Sequence, residues 1–136
     1  MRGYRRVAFS GLVLGLSLVF VFQIDARAAD EGALVDYVNQ ERQANGLAPL
    51  SYSPELSGGA SLQAQENAAC GCLSHAGQHY AAAENVTFAP TAWDAFQQWL
   101  GSAFHRANMV NPSYTNLGLG YAQDGNGNGY YVLNFA

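Results

Sequence analysis

The only two cysteines of the chain, Cys70 and Cys72, stand one residue apart. A bridge between them closes a very small, strained ring and constrains almost none of the chain. The fold therefore cannot rest on a disulfide framework and needs a real hydrophobic core. The sequence can supply one, since 49% of its residues are hydrophobic and 12% aromatic.

The first thirty residues differ in kind from the rest. Arg2, Arg5 and Arg6 form a basic start, Val7 to Ile24 carries no charge, and Ala26-Arg27-Ala28 is a small-x-small site. This layout predicts a secretory signal peptide over residues 1–28, cleaved to leave Ala29 or Asp30 first. The apolar run is also long enough to span a bilayer, so an uncleaved N-terminal anchor is the alternative. No Cys stands directly after the cut site, which argues against a lipoprotein anchor. Residues 29–136 then make one domain of ordinary size. Beyond residue 28 only Arg42 and Arg106 are basic, against nine carboxylates from Asp30 to Asp124, a net charge of −7. Such a domain is repelled by phosphate backbones and by anionic membrane surfaces. Nucleic acid is excluded as a partner on that ground, and no stable membrane insertion is expected once the signal is cleaved.

Local signals then divide the domain. Leu34, Val38 and the stem of Arg42 recur at four-residue steps with acidic residues in front, predicting a helix over 30–45 that stops at Gly46. Ser53 as N-cap and Pro54 at the first helical position open a second helix, which carries the stripe Leu56, Ala60, Ala64, Ala68 and ends near Cys70-Gly71. Residues 71–83 read as loop and 85–88 as a short strand. Thr91 caps a third helix bearing Trp93, Phe96, Trp99 and Leu100, and Ser102 caps a short fourth one. Strands over 117–122 and 130–135 flank an Asp/Gly/Asn hairpin loop. The order predicts an α+β layered domain with an antiparallel sheet.

Several of these pieces, taken in order, resemble one family. Asn39-Gln40-Glu41-Arg42 and Gly46-Leu47-Ala48-Pro49-Leu50 look like its N-x-x-R and G-L-x-P-L. Ser74-His75 and Ala83-Glu84-Asn85-Val86 are similar to its Ser-His and G-E-N-I. Trp99, Ser102, His105-Arg106 and Asn108 look like a bacterial W-x-x-S-x-x-H-R-x-N. Leu117-Gly118-Leu119-Gly120, Tyr130-Tyr131 and Asn134-Phe135 resemble its last strands. On these motifs, spread over residues 34–135, the chain resembles a short bacterial member of the CAP family (cysteine-rich secretory protein, antigen 5, pathogenesis-related 1). The resemblance implies an α-β-α sandwich, a central antiparallel sheet between helical layers.

It also implies a surface cleft lined by two His and two Glu. His75, Glu84 and His105 match three of those positions, and Ser102 stands where the second Glu is expected. Two imidazoles and a carboxylate form a ligand set that zinc uses with one position open, and such an ion can polarise a carbonyl or activate a water. Without metal the same groups can exchange a proton near neutral pH, and they are the candidates for catalysis if there is any. The bland alternative is a polar network that holds loop, strand and helix together. No cofactor is expected to be required, and a divalent cation such as zinc is expected to bind weakly at most.

Other residues have readier structural accounts. Cys70, Cys72, His75 and His79 have the residue types of a closed zinc site but not its spacing, so buried thiols or a local disulfide are expected there, with His79 facing solvent. Asn39 and Arg42 are expected to be structural, with Arg42 paired to a carboxylate. Arg106 is expected to do the same or to sit at the cleft rim. The stripe Trp93, Phe96, Trp99 and Phe104 is expected to be core, with a lipid-facing groove as the alternative. The glycine-rich run 125–129 lacks a following helix to bind phosphate and the carboxylates to bind calcium. The sequon Asn85-Val86-Thr87 has meaning only in a eukaryotic host.

No Ser-His-Asp pattern, H-E-x-x-H helix or catalytic Cys-His pair appears in the sequence. The expectation is thus a secreted, non-catalytic binding module whose resemblance implies lipid, sterol, cation or cell-envelope partners. A metal-assisted hydrolase or protease using the same cleft is the alternative.

Overall fold

The computed structural model describes residues 31–75 and 81–136. The expected signal peptide and its cut site, and His79 with its neighbours in the loop, lie outside the described residues. Helix α1 covers 31–44, followed by β1 (Ser51–Tyr52), α2 (Pro54–Cys70), β2 (Ala83–Ala89), α3 (Ala92–Leu100), α4 (Ala103–Met109), β3 (Asn116–Gln123) and β4 (Gly129–Phe135). Among these helices none is long and apolar enough to cross a membrane.

The helix starts follow the local chemistry. The Ser53 side chain accepts from the Leu56 N–H, and Thr91 accepts from the Asp94 N–H, each satisfying one of the donors that a helix leaves open at its first turn. Ser102 also occupies an N-cap position, but its side chain makes no capping bond.

The sheet has the order β1-β3-β4-β2. Strands β3 and β4 form the predicted hairpin, and β2 pairs antiparallel with β4. The fourth strand is an addition to the expected antiparallel sheet. Ser51 and Tyr52 pair in parallel with Asn116 and Leu117, so the sheet is mixed.

Helical layers cover both faces. On one face α2 lies against β3 and β4, with Ala60 and Ala64 meeting Val86 and Val132. The approach is close enough that a Cβ on Gly118 would stand 2.2 Å from the Leu56 carbonyl carbon, and one on Gly120 would stand 2.1 Å from that of Ala60. The two glycines of β3 are thus what lets a helix backbone lie on the strand. The other face carries the main core, where Leu34 and Val38 of α1, Phe96 and Trp99 of α3 and Met109 of α4 pack on Leu117, Leu133 and Phe135. The result is the α-β-α sandwich.

The aromatic stripe divides instead of forming one core. Trp99 and Phe96 are buried, but Trp93 is 48% exposed and Phe104 87% exposed. Trp93 sits in the first turn of α3 and meets Tyr37 edge-on at 4.9 Å, at the rim of the layer where the core no longer covers it.

Candidate functional site

The site grows from the loop that follows α2. Asn67 is fully buried in the last part of that helix. Its Oδ1 accepts from the Ser74 N–H at 3.2 Å and its Nδ2 donates to the Ser74 carbonyl at 3.4 Å. Gln63, one turn earlier, donates to the same Oδ1 at 3.0 Å. A buried amide thereby fixes the backbone of the residue before His75.

His75 then reaches β2. Its Nδ1 lies 2.9 Å from Glu84 Oε1, with the His75 side chain 52% exposed and that of Glu84 at 0%. With Glu84 ionised, Nδ1–H donates and Nε2 is the ring atom left to take a ligand. Glu84 pairs in register with Asn134 of β4. In the amide orientation that satisfies both its neighbours, Asn134 donates to Glu84 Oε2 at 3.0 Å and accepts from the Ala60 N–H at 3.2 Å. Both oxygens of the buried carboxylate are therefore engaged, as a buried charge requires.

His105 arrives from the other layer. Successive residues of a strand point to opposite faces, so Glu84 looks toward α2 while Asn85 looks toward α4. Asn85 Nδ2 donates to the His105 carbonyl at 3.0 Å, and Asn108 Nδ2 donates to Asn85 Oδ1 at 2.9 Å. These bonds seat α4 on β2, which is an edge strand, and bring His105 near enough to His75 for their charges to interact. Burial pushes the His105 pKa below the ordinary histidine value, and the charge of His75 adds to the effect.

One of these two imidazoles is held by a carboxylate. Among the described residues, no three His, Cys, Asp or Glu side chains are gathered so that they could hold a metal ion. Glu84 is buried and hydrogen-bonded through both oxygens, and the three-ligand set expected from His75, Glu84 and His105 is not assembled among the described residues. Cys70 and Cys72 are bonded to each other, which removes the thiolates that a C-x-C-x2-H-x3-H zinc site needs.

Of the two arginines, Arg42 departs from its expected carboxylate partner and Arg106 takes one. Arg42 is buried and meets no carboxylate among the described residues. Its Nε donates to Ala48 O at 2.8 Å, its Nη1 to Met109 O at 2.9 Å and Asn111 O at 2.8 Å, and its Nη2 to Tyr114 O at 3.2 Å. Carbonyls at the end of α4 take the place of a counter-ion, since a helix C-terminus carries partial negative charge. Burial lowers the Arg42 pKa. Arg106 does pair with a carboxylate, Glu41, at 2.7 Å, and so ties α4 to α1. Asn39 holds Leu50 by both its N–H and its carbonyl.

Asn67, Asn85, Asn108 and Asn134 position the site, and no sequence signal assigned them that role. Asn108 and Asn134 appear only as motif letters. Asn67 shares the buried face of α2 with another polar residue, Gln63, four positions earlier.

The comparisons with known proteins bear on the family and the fold. YkwD of Bacillus subtilis (strain 168), described as uncharacterized, is 29% identical over 114 residues, 72% of this chain and 44% of its own length, so the chain spans less than half of that relative. An extracellular SCP-domain protein from Bacillus anthracis superposes with a TM-score of 0.66 at 20% identity, over 93% of this chain and 44% of that one. NaASP2, solved with Zn2+, superposes with a TM-score of 0.65 at 14% identity, over 79% of this chain and 78% of that one. At those identities the two structures speak for the fold alone. The model of the cysteine-rich secretory protein family matches residues 35–135, a span that runs from inside α1 to the end of β4 and includes His75, Glu84 and His105, and the chain belongs to that CAP family.

Proposed function

We propose that the chain is an exported binding module, not a hydrolase, whose edge cleft presents His75 and His105 to a ligand. The observation that carries the reading is the state of Glu84. Its carboxylate is buried and held at both oxygens by His75 and Asn134. A general base or a catalytic metal ligand has to be free to reach a water or an ion, and this one serves to orient an imidazole. Ser102 supplies no second carboxylate in its place.

A divalent cation that favours imidazole, such as zinc, fits the two ring nitrogens as a weak and labile ligand. When bound it supplies a positive charge that an anionic or carbonyl group of a second ligand can approach. His75 Nδ1 stays with Glu84, which fixes the ring and leaves Nε2 outward. The zinc recorded with NaASP2 is in keeping with this. Export is supported by the family and by the extracellular description of the Bacillus anthracis relative. Lipid, sterol or cell-envelope ligands are the partner class, with half-exposed Trp93 and exposed Phe104 as the apolar surface they would meet.

Native mass spectrometry of the secreted protein tests the reading, reporting bound metal and co-purified lipid together. Zinc retained by the wild type and lost in a His75→Ala/His105→Ala double variant supports it. Peptide cleavage by the purified protein that disappears in Glu84→Gln overturns it in favour of the hydrolase.

A further inference from the structure

We propose that the Cys70–Cys72 bridge is an exchangeable disulfide that oxidises dithiols in extended, basic polypeptides, with an adjacent cleft seating an apolar side chain of that polypeptide. The bridge joins residues only two apart in sequence, so it constrains the unfolded chain very little, and opening it gives up little stability. Both cysteines are exposed, which admits an attacking thiolate.

The turn that carries them does not depend on the bridge. Gly71, in left-handed conformation at φ 63°, caps α2 and donates its N–H to Asn67 O, and the Cys72 N–H donates to the same oxygen at 3.2 Å. The side chain of Asn67 meanwhile holds Ser74. The reduced pair therefore stays at the Cα separation of 5.3 Å seen in the bridged form, within the usual range for bridging. Cys70 Sγ also lies 3.4 Å from Asn67 O. A disulfide sulfur has no proton to give that oxygen, whereas a thiol has one, so the contact favours the reduced state.

Cys72 opens onto a surface cleft of about 400 Å³ lined by Leu73, Phe88, Tyr130, Asp124 and Asn128. Leu73 is 55% and Phe88 43% exposed, and Phe88 stands edge-on to Tyr130 at 5.5 Å. Apolar walls beside a disulfide, with Asp124 at the rim and a net charge of −7 beyond residue 28, suit a basic segment with an apolar side chain near its cysteine.

A substrate thiolate attacks Cys72 Sγ from the cleft, and the bond to Cys70 breaks. Cys70 leaves with the electron pair and takes a proton from water. The second substrate thiolate then attacks the substrate sulfur of the mixed disulfide, and Cys72 leaves and is protonated. The substrate dithiol loses two electrons and two protons, and the cysteine pair gains them. A low-molecular-weight disulfide restores the bridge by the same two steps.

The full secreted protein is mixed with a reduced synthetic peptide carrying two cysteines flanked by Lys, Leu and Phe. A twin peptide has Ser in place of Leu and Phe. Free thiols on protein and peptide are trapped and counted by mass spectrometry. One peptide disulfide should form per protein disulfide lost, at least ten-fold faster for the apolar peptide than for its twin. Leu73→Ser and Phe88→Ser should slow the apolar peptide toward the rate of the twin while leaving reduction by dithiothreitol unchanged. A Cys70→Ser/Cys72→Ser variant should transfer nothing, and the wild-type measurement stands without it. A wild-type bridge that persists while the peptide stays reduced overturns the proposal, as do equal rates for the two peptides.

Discussion

The amide of Asn67 clasps the backbone of Ser74 from both sides, accepting its N–H at 3.2 Å and donating to its carbonyl at 3.4 Å. It is through this buried contact that α2 controls the loop bearing His75. Asn67→Ala should cost about 1–3 kcal/mol, because Ser74 loses two partners and Gln63 loses its acceptor. The zinc-induced rise in melting temperature should shrink as well, since His75 loses its anchor. Urea melts measure the first effect, and thermal melts with and without zinc the second.

Gly120 shows the same dependence on a close approach, this time of backbone to backbone. Gly120→Ala places a Cβ 2.1 Å from the Ala60 carbonyl, and neither main chain can yield cheaply. The loss should reach about 3 kcal/mol, at the upper end of overpacking effects. Gly58 is the contrasting case, an exposed glycine within α2 with no atom near its missing Cβ. Gly58→Ala should stabilise by about 0.5–1 kcal/mol. The pair of thermal melts separates steric contact from backbone freedom.

Arg42→Met should be among the most damaging single changes, at about 3 kcal/mol or more, because four carbonyls each lose a donor. Arg42→Lys should recover only part of this, since an ammonium has no planar fork to span four acceptors. Chemical denaturation of the three proteins checks the ranking.

Most of the fold could be read from the sequence, because its elements are bounded by local chemistry. Ser53-Pro54 and Gly71 delimit α2, and Thr91 opens α3, through bonds within a few residues. β1 escaped because two residues give no period, and their partners Asn116 and Leu117 lie far along the chain. For the site, motif resemblance pointed to His75, Glu84 and His105, but not to the engagement of both Glu84 oxygens or to the seating of α4, with His105, on the edge strand β2. Those features depend on Asn134, Asn85 and Asn67, whose side chains act only once distant segments have met. The partners of Arg42 went unread for the same reason. Its charge suggested a carboxylate, and the fold supplied carbonyls.

The lowered pKa of His105 sets the sign of a pH effect. As pH falls through about 6.5, an unfolded chain protonates this residue while the folded one does not. The unfolded state then binds more protons, so stability falls with falling pH until the folded-state pKa is reached. His105→Gln should flatten that part of the profile. His75→Gln should raise the His105 pKa by removing a like charge, which an NMR titration of the imidazole would show.

Metal, where it binds, should not hold the fold together. The cleft offers two imidazoles, with Glu84 already engaged, and Cys70 and Cys72 are closed to metal by their bond. The core on both faces of the sheet is built from apolar side chains, so folding does not wait for an ion as it does in a domain organised around structural zinc. Thermal melts with and without EDTA should therefore nearly coincide. Zinc at ten times its Kd should add about 1.4 kcal/mol, which a single weak site gives by mass action. The His75→Ala/His105→Ala double variant should lose that increment and remain folded. Collapse of the wild type in EDTA alone would show that a metal stabilises the domain, and would return attention to the loop around Cys70, Cys72 and His75.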